Sequence, residues 1–535
     1  MIVAAMHSSG VQEADFLVAG SGVAGLRAAI ELAPHGSVLI LTKDNPADST
    51  SRYASGGIVF ALEDGAGVSV HAKETIRQGD GLCREEAVRA LVDDGPTQIR
   101  QLVEWGASFE ERNATNGQAG ESGARRPRLV RSASGPIGAD ILAALTAKAS
   151  KMSSLKTKAG AILLDLIIEN GEVSGAVYLD EPSGTIRKVR SKSVLLSTGG
   201  LGQAYAETTN PPGASGDGIA LAYRAGALLS DLEFVQFHPT ALCSKSEPKV
   251  MLPRALREKG AYLRNLELER FMPRYHEAGE LAPPETVARA IVCEMLRERG
   301  EFVYLDLTGL TPESVKKHFP LVYSACMASN IDITCDLVPT RPAAHFAIGG
   351  VATGVDGATT IRGLFAVGEV ACTGVHGANR LANNSLLEGL VFGTRAARAM
   401  AANAPPAAFP APPAATHAGA QDLLGEGGGK PLPPDAARRE IRRLMWDSAG
   451  VIRHGDKIKE ALKRLASLSI APTDSTTRPY VEAENLLLTA RLIARCADAR
   501  TESRGAHYRT DYPLKNEPGP ARHSFVSRER PVYFK

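Results

Sequence analysis

Short apolar runs that stop at glycine or polar residues recur along this chain. The first, Ala14–Ala19, is followed over Leu26–Leu32 by apolar positions with helical spacing. Similar runs at Val38–Lys43, Val194–Thr198 and Leu364–Val367 predict further strands of the same sheet. Strands that alternate with helical patterns predict an α/β fold with a parallel sheet.

The first strand leads directly into a glycine pattern typical of dinucleotide binding. Gly20 permits a tight turn, Gly22 lets the backbone approach a pyrophosphate, and Gly25 lets helix and strand pack closely. A strand before the glycines and a helix after them give the context that this short pattern requires. The next strand ends in Lys43, where a nicotinamide ribose would require an acid, and this argues against a simple NAD dehydrogenase.

A second strand–loop–helix unit lies between Arg362 and Glu388. Its loop is rich in glycine and polar residues, and a new apolar helical pattern begins at Ser385. Backbone N–H groups at such a helix start hold anionic or electron-rich ligands. The pair Gly56-Gly57 marks either a close backbone approach to that ligand or a simple turn.

Helical patterns also occupy residues 84–105, 285–297, 437–467 and 480–499, whereas residues 110–131 are loop-like. The stretch 403–436 is a Pro/Ala/Gly-rich linker. We predict a cofactor domain over 1–236 and 348–402, interrupted by a second domain over 237–347. Residues 437–535 then form a C-terminal helical domain.

Composition limits the binding partners, the compartment and the metal sites that we expect for this protein. A chain of 535 residues with a net charge of +2 suggests neither nucleic acid nor a membrane surface as partner. No apolar run has the length of a membrane span, and the N-terminus lacks the features of a signal peptide. Seven scattered cysteines without a CxxC pair predict reduced thiols in a cytoplasmic protein and no metal site.

Taken together, the motifs resemble the flavoprotein family of succinate dehydrogenase, fumarate reductase and L-aspartate oxidase over nearly the whole chain. In chain order they are Gly20-x-Gly22-x-x-Gly25, Gly56-Gly57, His238-Pro239-Thr240, Pro342-Ala343-Ala344-His345 and His376-Gly377-Ala378-Asn379-Arg380. The stretch 371–388 and the tail motif 500–508 are similar to the L-aspartate oxidase branch. The resemblance implies a Rossmann-type FAD-binding domain interrupted by an α+β capping domain.

The resemblance also implies which residues contact FAD. Succinate dehydrogenases and many fumarate reductases attach FAD through a histidine that precedes the glycine pair, and here that position is Thr50. We therefore expect FAD to bind without a covalent link. The expected cofactor-binding residues are Gly20, Gly22, Gly25, Lys43, Ser49, Ser51, Gly56, Gly57, Thr198, Gly199, Asp217, Glu369, Asn384, Ser385 and Leu386.

A C4 dicarboxylate requires fixed cations and hydrogen-bond donors, which the family motifs supply as Arg380, His238, His345 and the hydroxyl of Thr240. Arg289 matches the arginine that the family uses for proton transfer. A guanidinium hardly deprotonates, so we expect it to donate a proton during fumarate reduction and to anchor charge during oxidation.

Glu121 falls where L-aspartate oxidases carry a carboxylate expected to meet the substrate ammonium. Its neighbours depart from the family pattern, because Ala124 and Arg125 replace a histidine and a serine. In the capping domain, Arg254 and Lys259 stand near positions where the family has glutamates. Arg125 could supply the missing donors, or the substrate could differ.

The resemblance thus implies oxidation of L-aspartate to 2-iminosuccinate, with reoxidation by O2, giving H2O2, or by fumarate. In this family the product goes to quinolinate synthase in NAD biosynthesis. Two alternatives stay open. One is a soluble fumarate reductase or a paralogue that oxidises another amino or dicarboxylic acid. The other is a flavin-binding paralogue with impaired catalysis.

Overall fold

The computed structural model describes residues 11–46, 48–54, 56–60, 66–113, 128–132, 136–410, 428–473, 475–517 and 519–535. Within them the α-helices are α1 (Val23–Leu32), α2 (Ala66–Gln78), α3 (Glu85–Glu104), α4 (Ile137–Ala149), α5 (Asp217–Arg224), α6 (Arg254–Glu258), α7 (Pro284–Glu298), α8 (Pro312–His318), α9 (Pro320–Met327), α10 (Ser385–Ala401), α11 (Pro434–Ala449), α12 (Gly455–Ser467) and α13 (Arg478–Ala499).

The strands are β1 (Gln12–Glu13), β2 (Phe16–Ala19), β3 (Val38–Thr42), β4 (Ile58–Phe60), β5 (Phe109–Asn113), β6 (Arg128–Ser132), β7 (Leu155–Ala159), β8 (Ala161–Glu169), β9 (Glu172–Asp180), β10 (Thr185–Arg190), β11 (Ser193–Leu196), β12 (Leu229–Ser230), β13 (Val235–Leu242), β14 (Tyr262–Arg264), β15 (Val303–Asp306), β16 (Val338–Ala347), β17 (Gly350–Ala352), β18 (Leu364–Ala366), β19 (Ala371–Cys372), β20 (Ser524–Ser527) and β21 (Arg530–Phe534).

A parallel five-stranded sheet forms the centre of the cofactor domain, in the order β18-β11-β2-β3-β7. Every residue of β2, β3, β11 and β18 is buried, which explains their continuous apolar sequences. Helices α1 and α10 pack against each other beside this sheet. The carboxyl ends of β2, β11 and β18 therefore bring the glycine loops after them to one edge, as the sequence predicted.

The segment between β13 and β16 has a separate antiparallel sheet, in the order β13-β16-β15-β14. Its buried residues, which include Leu263, Ile291 and Val338, form a hydrophobic cluster of their own. Helix α7 packs on β13 and β16. The segment between β13 and β16, which the sequence predicts as the capping domain, therefore has a hydrophobic core of its own.

The C-terminal helices share a hydrophobic core with the cofactor domain. Ile441 and Leu486 belong to the same buried cluster as Leu17 and Ile219 of the cofactor domain. The chain then ends in β20 and β21, and β20 pairs with β12. The prediction of a purely helical segment missed these two strands, because their short apolar stretches lack a distinctive alternation.

The loop-like prediction for residues 110–131 was wrong at both ends. Residues 110–113 belong to β5 and 128–131 to β6, and these two strands pair antiparallel with each other. The charged sequences of the two strands gave no apolar alternation to indicate a sheet. In the part of the chain that the structure describes, no helix is long and apolar enough to cross a membrane.

Candidate functional site

The turn between β2 and α1 requires glycine at two positions. Gly20 has φ +109°, and a Cβ added there would lie 2.2 Å from the carbonyl oxygen of Ser197 on the neighbouring strand. A Cβ added at Gly25 would lie 2.2 Å from the carbonyl oxygen of Gly20. These contacts press strand, turn and helix together, and they leave the first N–H groups of α1 at the carboxyl edge of the sheet.

Ser49 and Ser51 lie against this turn. A Cβ added at Gly22 would lie 3.4 Å from Oγ of Ser51 and 3.9 Å from Cβ of Ser49. Ser51 accepts a hydrogen bond from the N–H of Val23 at 3.3 Å, whereas Oγ of Ser49 is buried and has no hydrogen-bond partner among the residues that the structure describes. Gly57 has φ +107°, a conformation that favours glycine.

The residues that follow strand β11 lie at the same edge of the sheet. Thr198 follows β11, and its buried hydroxyl has no hydrogen-bond partner in the described part of the chain. Gly199 has φ +79°. Buried polar groups are normally hydrogen-bonded, so the hydroxyls of Ser49 and Thr198 fit a bound polar ligand. Together with the helix N-terminus, they suit the pyrophosphate and ribose of FAD.

Glu369 and the start of α10 lie near this edge. Burial raises the pKa of the Glu369 carboxyl to about 7, although the Ala347 N–H donates to it at 2.9 Å. Asn384, immediately before α10, uses its side chain within the protein, towards His71 at 2.8 Å and Thr75 at 3.0 Å. The backbone from Asn384 to Leu386 then begins the helix, so its N–H groups suit an electron-rich ligand.

Lys43 and Asp217 contact each other. Nζ of Lys43 lies 2.6 Å from Asp217 and 3.0 Å from Glu482 of α13. Burial opposes the charge on Lys43, but the two carboxylates outweigh it and raise the lysine pKa. Asp217 also accepts from Ser215 and Asn485. Both side chains thus have protein partners, and their assignment to FAD stays a prediction.

His238 and His345 lie side by side on neighbouring strands of the capping sheet. Their ring centroids are 5.9 Å apart. Burial, with Arg257 and Arg380 nearby, lowers the pKa of His238 to about 3. Burial and the charge of Arg380 hold the pKa of His345 well below its usual range. Both imidazoles are therefore neutral at physiological pH.

Each of the two rings has a hydrogen-bond contact at its Nδ1 atom. Nδ1 of His238 lies 2.9 Å from the carbonyl oxygen of Thr240. A carbonyl oxygen only accepts, so this contact favours a proton on Nδ1 and a lone pair on Nε2. The backbone N–H of Thr240 lies 3.3 Å from the same Nδ1 and favours the opposite tautomer. Nδ1 of His345 lies 2.9 Å from Oγ1 of Thr209. The hydroxyl of Thr240 is fully buried and donates to the carbonyl oxygen of Leu252 at 2.7 Å.

Arg380 supplies the buried positive charge beside these rings. Its Nε donates to Oε1 of Gln236 at 3.0 Å, and its guanidinium carbon lies 4.6 Å from the ring centroid of Phe346. Burial lowers the pKa of Arg380 to about 10, against the attraction of Glu369 and Glu388. The guanidinium therefore stays charged and suits a substrate carboxylate.

Arg289 approaches the site from α7. It lines a cavity with Gln236, Asn379 and Tyr508, and its guanidinium carbon lies 4.9 Å from the ring centroid of Tyr508. Because Gln236 also holds Arg380, the two arginines flank one region. Arg380 thus lies near both histidines and, through Gln236, next to the cavity that Arg289 lines, whereas Glu121 lies outside the described residues.

The basic replacements in the capping segment lie at its edge. Arg254 pairs with Glu258 at 3.0 Å and donates to the carbonyl oxygen of Leu281. Lys259 is exposed. Arg257 is instead buried, and burial lowers its pKa to about 10. Arg257 was missed at the sequence level, because nothing in its local sequence distinguishes it from Arg254.

Comparisons with known proteins agree with this geometry. Residues 15–386 match the family described as FAD binding domain, and residues 438–532 match fumarate reductase flavoprotein C-term. An L-aspartate oxidase of Streptomyces coelicolor is 40% identical over 96% of this chain and 91% of its own length. An L-aspartate oxidase of Yersinia pestis is 36% identical over 95% of this chain and 98% of its own.

Solved structures of related flavoproteins also superpose on most of this chain. A variant of E. coli quinol fumarate reductase superposes with a TM-score of 0.84 at 28% identity, and the match covers 98% of this chain and 97% of that one. Mycobacterium smegmatis Sdh1 superposes with a TM-score of 0.82 at 30% identity, over 98% and 94% of the two chains. The chain belongs to the L-aspartate oxidase branch of the FAD-dependent succinate dehydrogenase and fumarate reductase flavoproteins.

Proposed function

We propose that the protein oxidises L-aspartate to 2-iminosuccinate and thereby begins NAD biosynthesis. The observation that carries the proposal is that Arg380 lies beside two neutral histidines and contacts Gln236, which lines the same cavity as Arg289. L-Aspartate is a dicarboxylate with one ammonium group, and two guanidinium groups match its two carboxylates in number and charge.

FAD, when bound, supplies the two-electron acceptor that the oxidation requires. Gly20, Gly22 and the start of α1 would hold its pyrophosphate, with Ser49 and Thr198 as further hydrogen-bond partners. The protein's main contribution is then placement, since a fixed and dry geometry removes much of the entropic barrier.

Arg380 binds one substrate carboxylate and Arg289 the other in this proposal. In the tautomer that donates from Nδ1 to the carbonyl oxygen of Thr240, Nε2 of His238 carries a lone pair. That lone pair accepts an N–H of the substrate and favours the amine that must lose its proton before C–H cleavage. Glu121 is proposed as the further partner of the ammonium, on the strength of the family resemblance.

The proposal includes three points that rest on the family resemblance. The reduced enzyme passes its electrons to O2, giving H2O2, or to fumarate. The 2-iminosuccinate goes to quinolinate synthase, and the reaction takes place in the cytoplasm.

Anaerobic mixing with L-aspartate tests the proposal. We expect the flavin absorbance to bleach with L-aspartate, and not with D-aspartate, whose ammonium points away from the same partners when both carboxylates are anchored. Succinate is the second control, because it lacks the ammonium. Bleaching by succinate, or by no dicarboxylic acid at all, would refute the assignment. Admission of O2 should then restore the absorbance with one H2O2 per turnover.

A further inference from the structure

A short turn in the C-terminal tail reaches the loop that carries Arg380. The backbones of Arg504 and His507 exchange two hydrogen bonds of 2.9 Å and close the turn. At its tip, the N–H of Ala506 donates to the carbonyl oxygen of Ala378 at 2.9 Å. A Cβ added at Gly505 would lie 2.3 Å from the same oxygen, so the turn is in tight contact with that loop.

Charged side chains fix the base of this turn. Arg453 lies 2.6 Å from Nδ1 of His507, and Arg504 donates to Glu502 at 3.0 Å. The N–H of Arg453 also donates to the carbonyl oxygen of Tyr508 at 3.1 Å. The backbone of Tyr508, which follows the turn, is therefore bonded to the segment between α11 and α12.

The ring of Tyr508 faces Arg289 of the capping segment. The guanidinium carbon lies 4.9 Å from the ring centroid, within the range of a cation–π contact. Nη2 of Arg289 also donates to the hydroxyl of Thr286, one turn earlier on the same helix, at 3.2 Å. Among the described residues, no carboxylate lies within ion-pair distance of Arg289.

An aromatic partner has a different effect on an arginine than a carboxylate would have. A carboxylate would neutralise the guanidinium and occupy its N–H groups. The face of a ring attracts the cation, holds its plane and leaves the N–H edge free. Arg289 and Tyr508 also border a cavity of about 360 Å³. Asn379, which precedes Arg380 in sequence, lines the same cavity, so a ligand there would reach the guanidinium of Arg289.

We infer that Tyr508 is a positioning residue for Arg289, and that the tail turn is part of the substrate site. The inference rests on the proposed function, because it assigns Arg289 to a dicarboxylate. The tail turn contacts the loop of Arg380 through Ala506 and contacts Arg289 through Tyr508. It thus sets the separation of the two arginines, which a C4 dicarboxylate must span.

A double-mutant cycle tests the inference. Tyr508→Leu removes the ring but keeps an apolar side chain, and Tyr508→Phe is the matched control that keeps the ring. We expect Tyr508→Leu to lower kcat/KM for anaerobic flavin reduction by L-aspartate about three- to thirtyfold, with Tyr508→Phe within about twofold of wild type. In an Arg289→Met background, Tyr508→Leu should add less than about twofold.

The same cycle is repeated at equilibrium with succinate, whose binding is followed through the flavin absorbance. FAD content and Tm of each variant are measured alongside, and both should stay close to wild type. Equal results for Tyr508→Leu and Tyr508→Phe would overturn the inference. So would an equal loss in both Arg289 backgrounds, because the tail would then act without Arg289. A wild-type flavin that responds to no dicarboxylate would instead overturn the proposed function, and the inference with it.

Discussion

Replacement of Arg380 by leucine tests the substrate anchor most directly. The side chain is 7% exposed and lies between Gln236, Ser385 and the ring of Phe346. Nε and Nη1 have protein partners, whereas Nη2 has none among the described residues. The change therefore removes a buried charge with unused hydrogen-bonding capacity.

The size of the effect follows from the chemistry of that contact. A charge-assisted hydrogen bond contributes roughly 1.5–3 kcal/mol, and a bidentate pair lies at the upper end. Since about 1.4 kcal/mol corresponds to a factor of ten, we expect kcat/KM for L-aspartate to fall about ten- to a hundredfold. A substrate carboxylate left buried without its partner would deepen the loss.

The assay is anaerobic flavin reduction over a range of L-aspartate concentrations, with bound FAD quantified in each preparation. Arg395→Leu is the matched control, because Arg395 pairs with Asp94 at the surface of the same helix that follows Arg380. We expect that variant to behave like wild type. Wild-type kinetics in Arg380→Leu with FAD retained would refute the anchor, as would an equal fall in the two variants.

Three further changes have distinct expected outcomes. Lys43→Met leaves the buried Asp217 without its cation, whereas Glu482 keeps its ion pairs with Arg438 and Arg478. The change should lower the free energy of unfolding by about 3–5 kcal/mol, measured by urea denaturation. The exposed control Lys192→Met should change it by less than about 1 kcal/mol, and equal effects would contradict this. Because Thr50 replaces the linking histidine, acid precipitation should release all FAD into the supernatant, and flavin retained in the pellet would count against it. Glu121→Gln should shift the ratio of aspartate oxidation to fumarate reduction about tenfold towards fumarate, for loss of one charged contact of ~1.5–3 kcal/mol; an equal fall in both rates would make Glu121 a scaffold residue.

The cofactor edge could be predicted because its signals are local. Gly20 and Gly25 lie five residues apart, and the strand before them and the helix after them are visible in the same short window. The steric reason that the structure gives, a clash of an added Cβ with backbone oxygen atoms, is what that pattern encodes. The helix start at Ser385 is similarly evident from an apolar pattern that begins after a glycine loop.

The remainder of the site depends on contacts between distant parts of the chain. Lys43 and Glu482 are 439 positions apart, and neither local sequence indicates the other. Tyr508 lies in a tail motif, but its position over Arg289 is set by the docking of Ala506 on Ala378. No periodicity or spacing in the sequence contains that information, because it arises from packing of the C-terminal helices.

In the proposed site, the groups that carry positive charge differ from the group that accepts a proton. Burial alone would make a dicarboxylate site costly unless fixed cations are present. Burial also removes the charge of His238 and His345, so only groups that hardly deprotonate can supply those cations. Arg380 and Arg289 meet that condition, and they leave the two imidazoles free to accept or donate at neutral pH. An amino-acid oxidation requires both functions together, since the carboxylates need cations while the ammonium must lose a proton.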